Sequence, residues 1–172
     1  MKRSQGFTIV ELAVVITIIG ILAAITIVSY NGVKTRAQAS AISDGLRKVD
    51  KSLQIWGVRE NFKTWPEDPV VGGGTPLNDL IAANPRLQNV LQSAPKVTGI
   101  HSEAWFYDND GDEKGDCTGD PYDGVNVVIR YITDTKVAQI VDDTIDDGNL
   151  LCGQVKYVDE RIFYAVSNVQ KF

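Results

Sequence analysis

Histidine is almost missing from this chain. Among 172 residues there is one, His101, beside two cysteines, Cys117 and Cys152. That scarcity removes most site chemistry at once. No His and Cys stand at metal-ligand spacing, and no Ser-His-Asp set can be assembled without His101. There is also no glycine-rich phosphate loop opening a helix. A lone histidine beside a strand start is ordinarily structural. The expectation is therefore a protein that is not an enzyme. Positive charge is short as well: the net charge is −5. Residues 34–63 hold seven Lys or Arg against three Asp or Glu, whereas residues 64–172 hold eight against eighteen. An acidic distal part repels phosphate, so nucleic acid is not the expected partner. Two readings of the imbalance stand: a solvated acidic face that keeps the domain soluble, or a basic stem that meets the acidic parts of neighbouring copies.

Charge is scarcest of all between residues 7 and 30, FTIVELAVVITIIGILAAITIVSY, where Glu11 is the single ionisable acid or base among apolar neighbours. As a helix this run is roughly 36 Å long, enough to cross a bilayer core. Lys2 and Arg3 precede it, which places the N-terminus in the cytoplasm and the remainder outside. A cleavable secretory signal predicts a shorter apolar core and a small-x-small cleavage site. The stretch around Leu22, Ala23 and Ala24 offers no clean Ala-x-Ala. An uncleaved single-pass anchor explains the length but leaves Glu11 as an unpaired charge in an apolar run, which is costly.

A third reading accounts for the glutamate. Gly6-Phe7-Thr8-Ile9-Val10-Glu11, after a short basic leader and before about twenty apolar residues, resembles the processing site of the type IV pilin and pseudopilin family. The close match spans roughly the first 32 residues. The resemblance implies cleavage by a prepilin peptidase between Gly6 and Phe7, N-methylation of Phe7, and pairing of Glu11 with the amino terminus of an adjacent subunit during assembly. It also implies the partners: membrane lipid before assembly, an inner-membrane assembly platform, and other copies of the chain in a helical filament. The site would be the inner membrane first, with the head outside, and an extracellular pilus or a pseudopilus afterwards. Where many pilins carry a kinking proline, this sequence has Val28, and its helix-breaking residues are Gly20 and Asn31-Gly32. Within the family the chain reads as a pilus subunit, or as a minor pilin or secretion pseudopilin. The reading from another class is a membrane-tethered extracellular binding domain.

The organisation follows as leader 1–6, membrane and assembly helix 7–30, amphipathic stem 31–57 and head 58–172. In the stem, Ile42, Leu46, Val49, Leu53 and Trp56 are spaced 4, 3, 4, 3, which is one helical face. Gly32 and Gly45 each weaken that helix by about 1 kcal/mol relative to alanine. Residues 65–75, with Pro66, Pro69 and Gly72-Gly73-Gly74, read as a loop. Residues 77–93 read as two short helices broken at Asn84-Pro85. Strands are expected at 103–107 and 124–132, a helix at 136–145, and a hairpin of 154–158 and 161–166 across Asp159-Glu160. A long helix packed on an antiparallel sheet makes the fold class α+β and pilin-like.

Two further expectations concern the head. Outside the cytoplasm a disulfide between Cys117 and Cys152 is the default, and the resemblance implies the same, since pilin heads are often tied near their C-terminus. Such a closure is worth about 4 kcal/mol; the alternative is two unrelated buried thiols. Residues 108–116, DNDGDEKGD, alternate carboxylates as a calcium loop does, which makes Asp108, Asp110, Asp112 and Asp116 the candidate ligands and calcium the one cofactor considered. Glu113 stands where the EF-hand pattern needs its glycine, so that pattern fails. The competing reading is a solvated turn between two strands. Asp142, Asp143, Asp146 and Asp147 are additional donors or a polar helix end.

Overall fold

The computed structural model describes residues 8–60, 65–68, 70, 73–109 and 124–166. The chain divides into two compact units between Thr35 and Arg36. A single helix, α1, runs from Ile9 to Arg59, two residues beyond the expected end at Gly57. Its backbone continues through Gly20 and through Asn31-Gly32, as one helix from the apolar run into the stem, which is the expected continuity.

In the first unit the apolar side chains are exposed: Ile9 is 89% exposed, Ile16 61% and Ile27 63%. The segment is long and apolar enough to cross a membrane, and none of its most apolar window is buried within the chain. Two of its hydroxyls are turned inward. Thr17 Oγ1 donates to the Ala13 carbonyl at 2.8 Å, and Thr26 Oγ1 to the Ala23 carbonyl at 2.9 Å. Back-bonding of this kind hides a polar group from apolar surroundings.

The second unit holds the core. Ala39, Ile42, Leu46, Val49 and Leu53 of α1 are fully buried, and Trp56 packs at their edge. This is the face expected from the 4, 3, 4, 3 spacing. It meets a five-stranded antiparallel sheet made of β1 (Thr75–Pro76), β2 (Trp105–Asp108), β3 (Asn126–Ile129), β4 (Val155–Val158) and β5 (Arg161–Ala165), in the order β1-β2-β3-β5-β4. Side chains alternate across a strand. Trp105, Tyr107, Val127, Ile129, Ile162 and Tyr164 therefore join the helix, while Val128, Phe163 and Phe106 form a small cluster on the other face. The Arg130 guanidinium lies 3.7 Å from the centre of the Phe106 ring. α2 (Leu77–Ala83) and α3 (Pro85–Gln88) break at Asn84 as expected.

The strands depart from expectation in ways that have local causes. Ser102–Ala104 forms a short 3-10 turn, so β2 starts two residues late and takes in Asp108. The run 124–132 yields only Asn126–Ile129, because Tyr131 adopts φ 68°, a left-handed conformation that a strand does not tolerate. Part of the expected loop 65–75 contributes Thr75 to the two-residue β1. The hairpin turn is where it was expected, and Asp159 and Glu160 both have positive φ (50° and 59°), as a two-residue turn matched to strand twist demands.

The helix α4 (Thr135–Ile145) starts one residue before its expected position and ends at the expected one. Asp134 caps it: its Oδ1 accepts from the Lys136 amide at 3.0 Å. Asp134→Ala is expected to lower the head's unfolding free energy by about 1 kcal/mol, read as a shift in the urea midpoint with an unchanged slope.

Candidate functional site

Glu11 lies in the first turn of α1, and its surroundings are built by Thr8. The Glu11 amide donates to Thr8 Oγ1 at 3.2 Å. In return Glu11 Oε2 accepts from the Thr8 amide and the Thr8 hydroxyl, each at 2.8 Å. This reciprocal pair is a capping box, which satisfies two helix-end donors that would otherwise be orphaned. The sequence carried the sign for it, Thr-x-x-Glu before an apolar run, and reading Glu11 only as an assembly carboxylate missed Thr8. Both of these bonds converge on Oε2, and among the described residues no donor meets Oε1. Gly6 and Phe7 lie outside the described residues.

The cysteine and acidic-loop expectations fall mostly beyond what is described. Cys152 is disulfide-bonded, and Cys117 lies outside the described residues. Of the expected calcium ligands, Asp108 sits in β2 opposite Asn126 with only 3% of its surface exposed. Asp110, Asp112 and Asp116 lie outside the described residues. His101 is exposed and borders a cavity of about 600 Å³ with Asp79, Glu103 and Tyr131. Among the described residues lining that cavity none is a serine or cysteine.

The remaining carboxylates are better defined. One oxygen each of Asp142, Asp146 and Asp147 lies within 4.8 Å of the others. Asp142 is fully buried. Its burial, with Asp146, Asp147 and Asp143 close by, raises its pKa to about 6, only partly offset by the Gly148 amide. Asp143 Oδ1 lies outside the trio and accepts from Gln139 Nε2 at 3.0 Å. By residue type alone Asp142 is no different from its acidic neighbours. Its place one turn after Ala138, on the buried face of α4, was the available signal.

Comparison with known proteins bears on the N-terminal half of this picture. Residues 1–27 match the prokaryotic N-terminal methylation motif. The type IV major pilin protein PilE1 of Neisseria gonorrhoeae is 33% identical over 106 residues, which cover 58% of this chain and 47% of that protein. The chain is similar to type IV pilins in its N-terminal methylation motif and in these relatives. A type IV major fimbrial protein FimA of Dichelobacter nodosus is 44% identical to this chain over 77 residues, 42% of it and 48% of the relative. A fimbrial protein of Moraxella nonliquefaciens is 48% identical over 50 residues, 27% of the chain and 32% of the relative. The chain thus spans about half the length, or less, of the curated relatives it matches. No solved structure matches it.

Proposed function

We propose that this chain is a structural subunit of a type IV pilus-like filament and not an enzyme. The observation that carries the reading is one carboxylate, Glu11, held by Thr8 at the head of an otherwise apolar helix that its own chain leaves uncovered. A surface of that kind asks for apolar neighbours, lipid at first and then the same helix of other copies. The contact is heterologous and does not close on itself, so repetition gives a fibre.

The chemistry at the N-terminus follows. A prepilin peptidase cuts between Gly6 and Phe7 at the cytoplasmic face, and Phe7 is N-methylated. The new ammonium of one subunit faces Glu11 of the next, where Oε1 receives it. A lone carboxylate among apolar helices is costly, and one facing an ammonium is compensated; the pair therefore sets the stagger between subunits. An assembly platform in the inner membrane delivers subunits to the growing end. The head lies outside, tied by a disulfide that we assign to Cys152 and Cys117, the chain's only other cysteine. The major pilins and fimbrial proteins among the relatives support a displayed subunit over a secretion pseudopilin.

Intact-mass analysis of protein sheared from the cell surface tests the reading. The expected species begins at N-methylated Phe7 and carries the disulfide. A chain that retains Met1 to Gly6 and stays with the membrane would overturn it in favour of a tethered binding domain.

A further inference from the structure

The end of α4 gathers negative charge without a visible counter-charge. Residues four apart on a helix lie one above the other, so Asp142 and Asp146 share a face. Asp146 is the C-cap, with φ −130° and ψ −143°. The chain turns there, brings Asp147 round, and passes on through Gly148 at φ 84°. The three carboxylates consequently converge, one oxygen from each within 4.8 Å of the others.

Two of the three are already oriented by the loop that leads to β4. Asp146 Oδ2 accepts from the Val155 amide at 3.1 Å and also from the Gln154 amide. Asp147 Oδ1 accepts from the Asn149 amide at 2.9 Å. Each therefore keeps a second oxygen uncommitted. A Cβ at Gly153 would run into the Asp146 carboxylate, so the loop wraps this group as closely as a backbone can. The same loop contains the disulfide-bonded Cys152.

Asp142 is different. It is completely buried; the Gly148 amide lies near its carboxylate, but no donor meets either oxygen at full hydrogen-bond geometry. Among the described residues no Lys or Arg side chain pairs with any of these carboxylates. The basic side chain at this helix end is Arg47, which donates to the Thr144 carbonyl at 3.0 Å instead. Buried polar groups are ordinarily satisfied, and a buried, unpaired charge is the most costly exception. A helix C-terminus, with its partial negative charge, adds to the demand for a cation.

We propose that Asp142, Asp146 and Asp147 bind a hard divalent cation, with calcium the ion that fits. The donors are all oxygen, which suits calcium, magnesium or manganese over softer metals. Calcium tolerates an irregular shell completed by backbone carbonyls and water, where magnesium demands a near-ideal octahedron. Asp142 then supplies the buried ligand, and the exposed Asp147 closes the site from solvent. The position is distinct from the acidic loop at 108–116, and the proposal does not rest on the filament reading. The competing reading is that Asp142 simply holds a proton.

The test uses the full chain in detergent, stripped with EGTA and titrated with calcium chloride while thermal unfolding is followed by near-ultraviolet circular dichroism. Saturating calcium is expected to raise the melting temperature by about 4 °C or more. Asp142→Asn should abolish the rise. Asp147→Asn alters an exposed residue and so leaves folding intact; it should raise the half-effective calcium concentration at least about tenfold. Asp110→Ala should keep the wild-type response. No calcium response in the wild type would overturn the site and favour the protonated carboxyl. A response that survives both Asp142→Asn and Asp147→Asn would also overturn it, as would one lost only in Asp110→Ala.

Discussion

Gly45→Leu is expected to destabilise the head by about 3 kcal/mol or more, through overpacking of a core that is already full. Helix propensity points the other way, since any ordinary residue is a better helix former than glycine. The geometry decides between them. A Cβ at position 45 would stand 2.8 Å from Trp105 Cη2, 3.1 Å from Trp105 Cζ2 and 3.0 Å from Pro95 Cβ. Trp105 cannot give way: it is fully buried, and its backbone is fixed in β2 opposite Ile129. The stem helix thus approaches the sheet at this point closely enough to exclude any side chain. Even Gly45→Ala is expected to lower the melting temperature. Gly32→Ala is the control, because nothing lies within 4 Å of a Cβ there, and it should be neutral or slightly stabilising. Tryptophan fluorescence during urea unfolding reads all three variants. A Gly45→Ala protein as stable as Gly32→Ala would show that the close approach is not real.

Glu11→Ala is expected to be processed and methylated normally, yet to yield at least about tenfold less sheared filament. The loss follows from leaving an ammonium among apolar helices with no carboxylate to face it, the costly way to break such a pair. Alanine also removes half of the capping box, so a second variant separates the two effects. Glu11→Gln keeps an oxygen that can accept from the Thr8 amide and drops only the charge. It should assemble as poorly as Glu11→Ala. Filament yield measured by electron microscopy and immunoblot gives the answer. Normal assembly of Glu11→Gln would mean that the residue serves its own helix end and not its neighbour.

How much of this was legible in the residues depends on the range of the interactions. The buried face of α1 could be read at once, because Ile42, Leu46, Val49 and Leu53 repeat with the helix period and nothing interrupts them. The same holds for α4, where Val137, Ile140, Val141 and Ile145 keep helical spacing, and for the β4–β5 hairpin, whose turn is set by two adjacent residues. The order β1-β2-β3-β5-β4 was not legible, since it depends on pairings such as Thr75 with Tyr107 that are far apart in sequence. Gly45 looked like a local cost to the helix; its purpose lies in Trp105, sixty residues away. At the N-terminus Glu11 stood out as a charge in an apolar run, whereas its partner Thr8 is chemically ordinary and only the spacing betrayed it. Among the acidic residues composition was least informative. Asp142 and Asp143 are neighbours of one type, and a rotation of 100° about the helix buries one and leaves the other in water.

The inward-turned hydroxyls of Thr17 and Thr26 carry a further meaning for the first unit. A hydroxyl already bonded to a carbonyl of its own helix asks for no partner in the medium around it. Moving these two hydroxyls from one oily environment to another breaks no hydrogen bond, so the polar part of any such transfer is left to Glu11. The stretch between Thr17 and Thr26 can therefore leave one apolar surrounding for another without baring a hydroxyl donor.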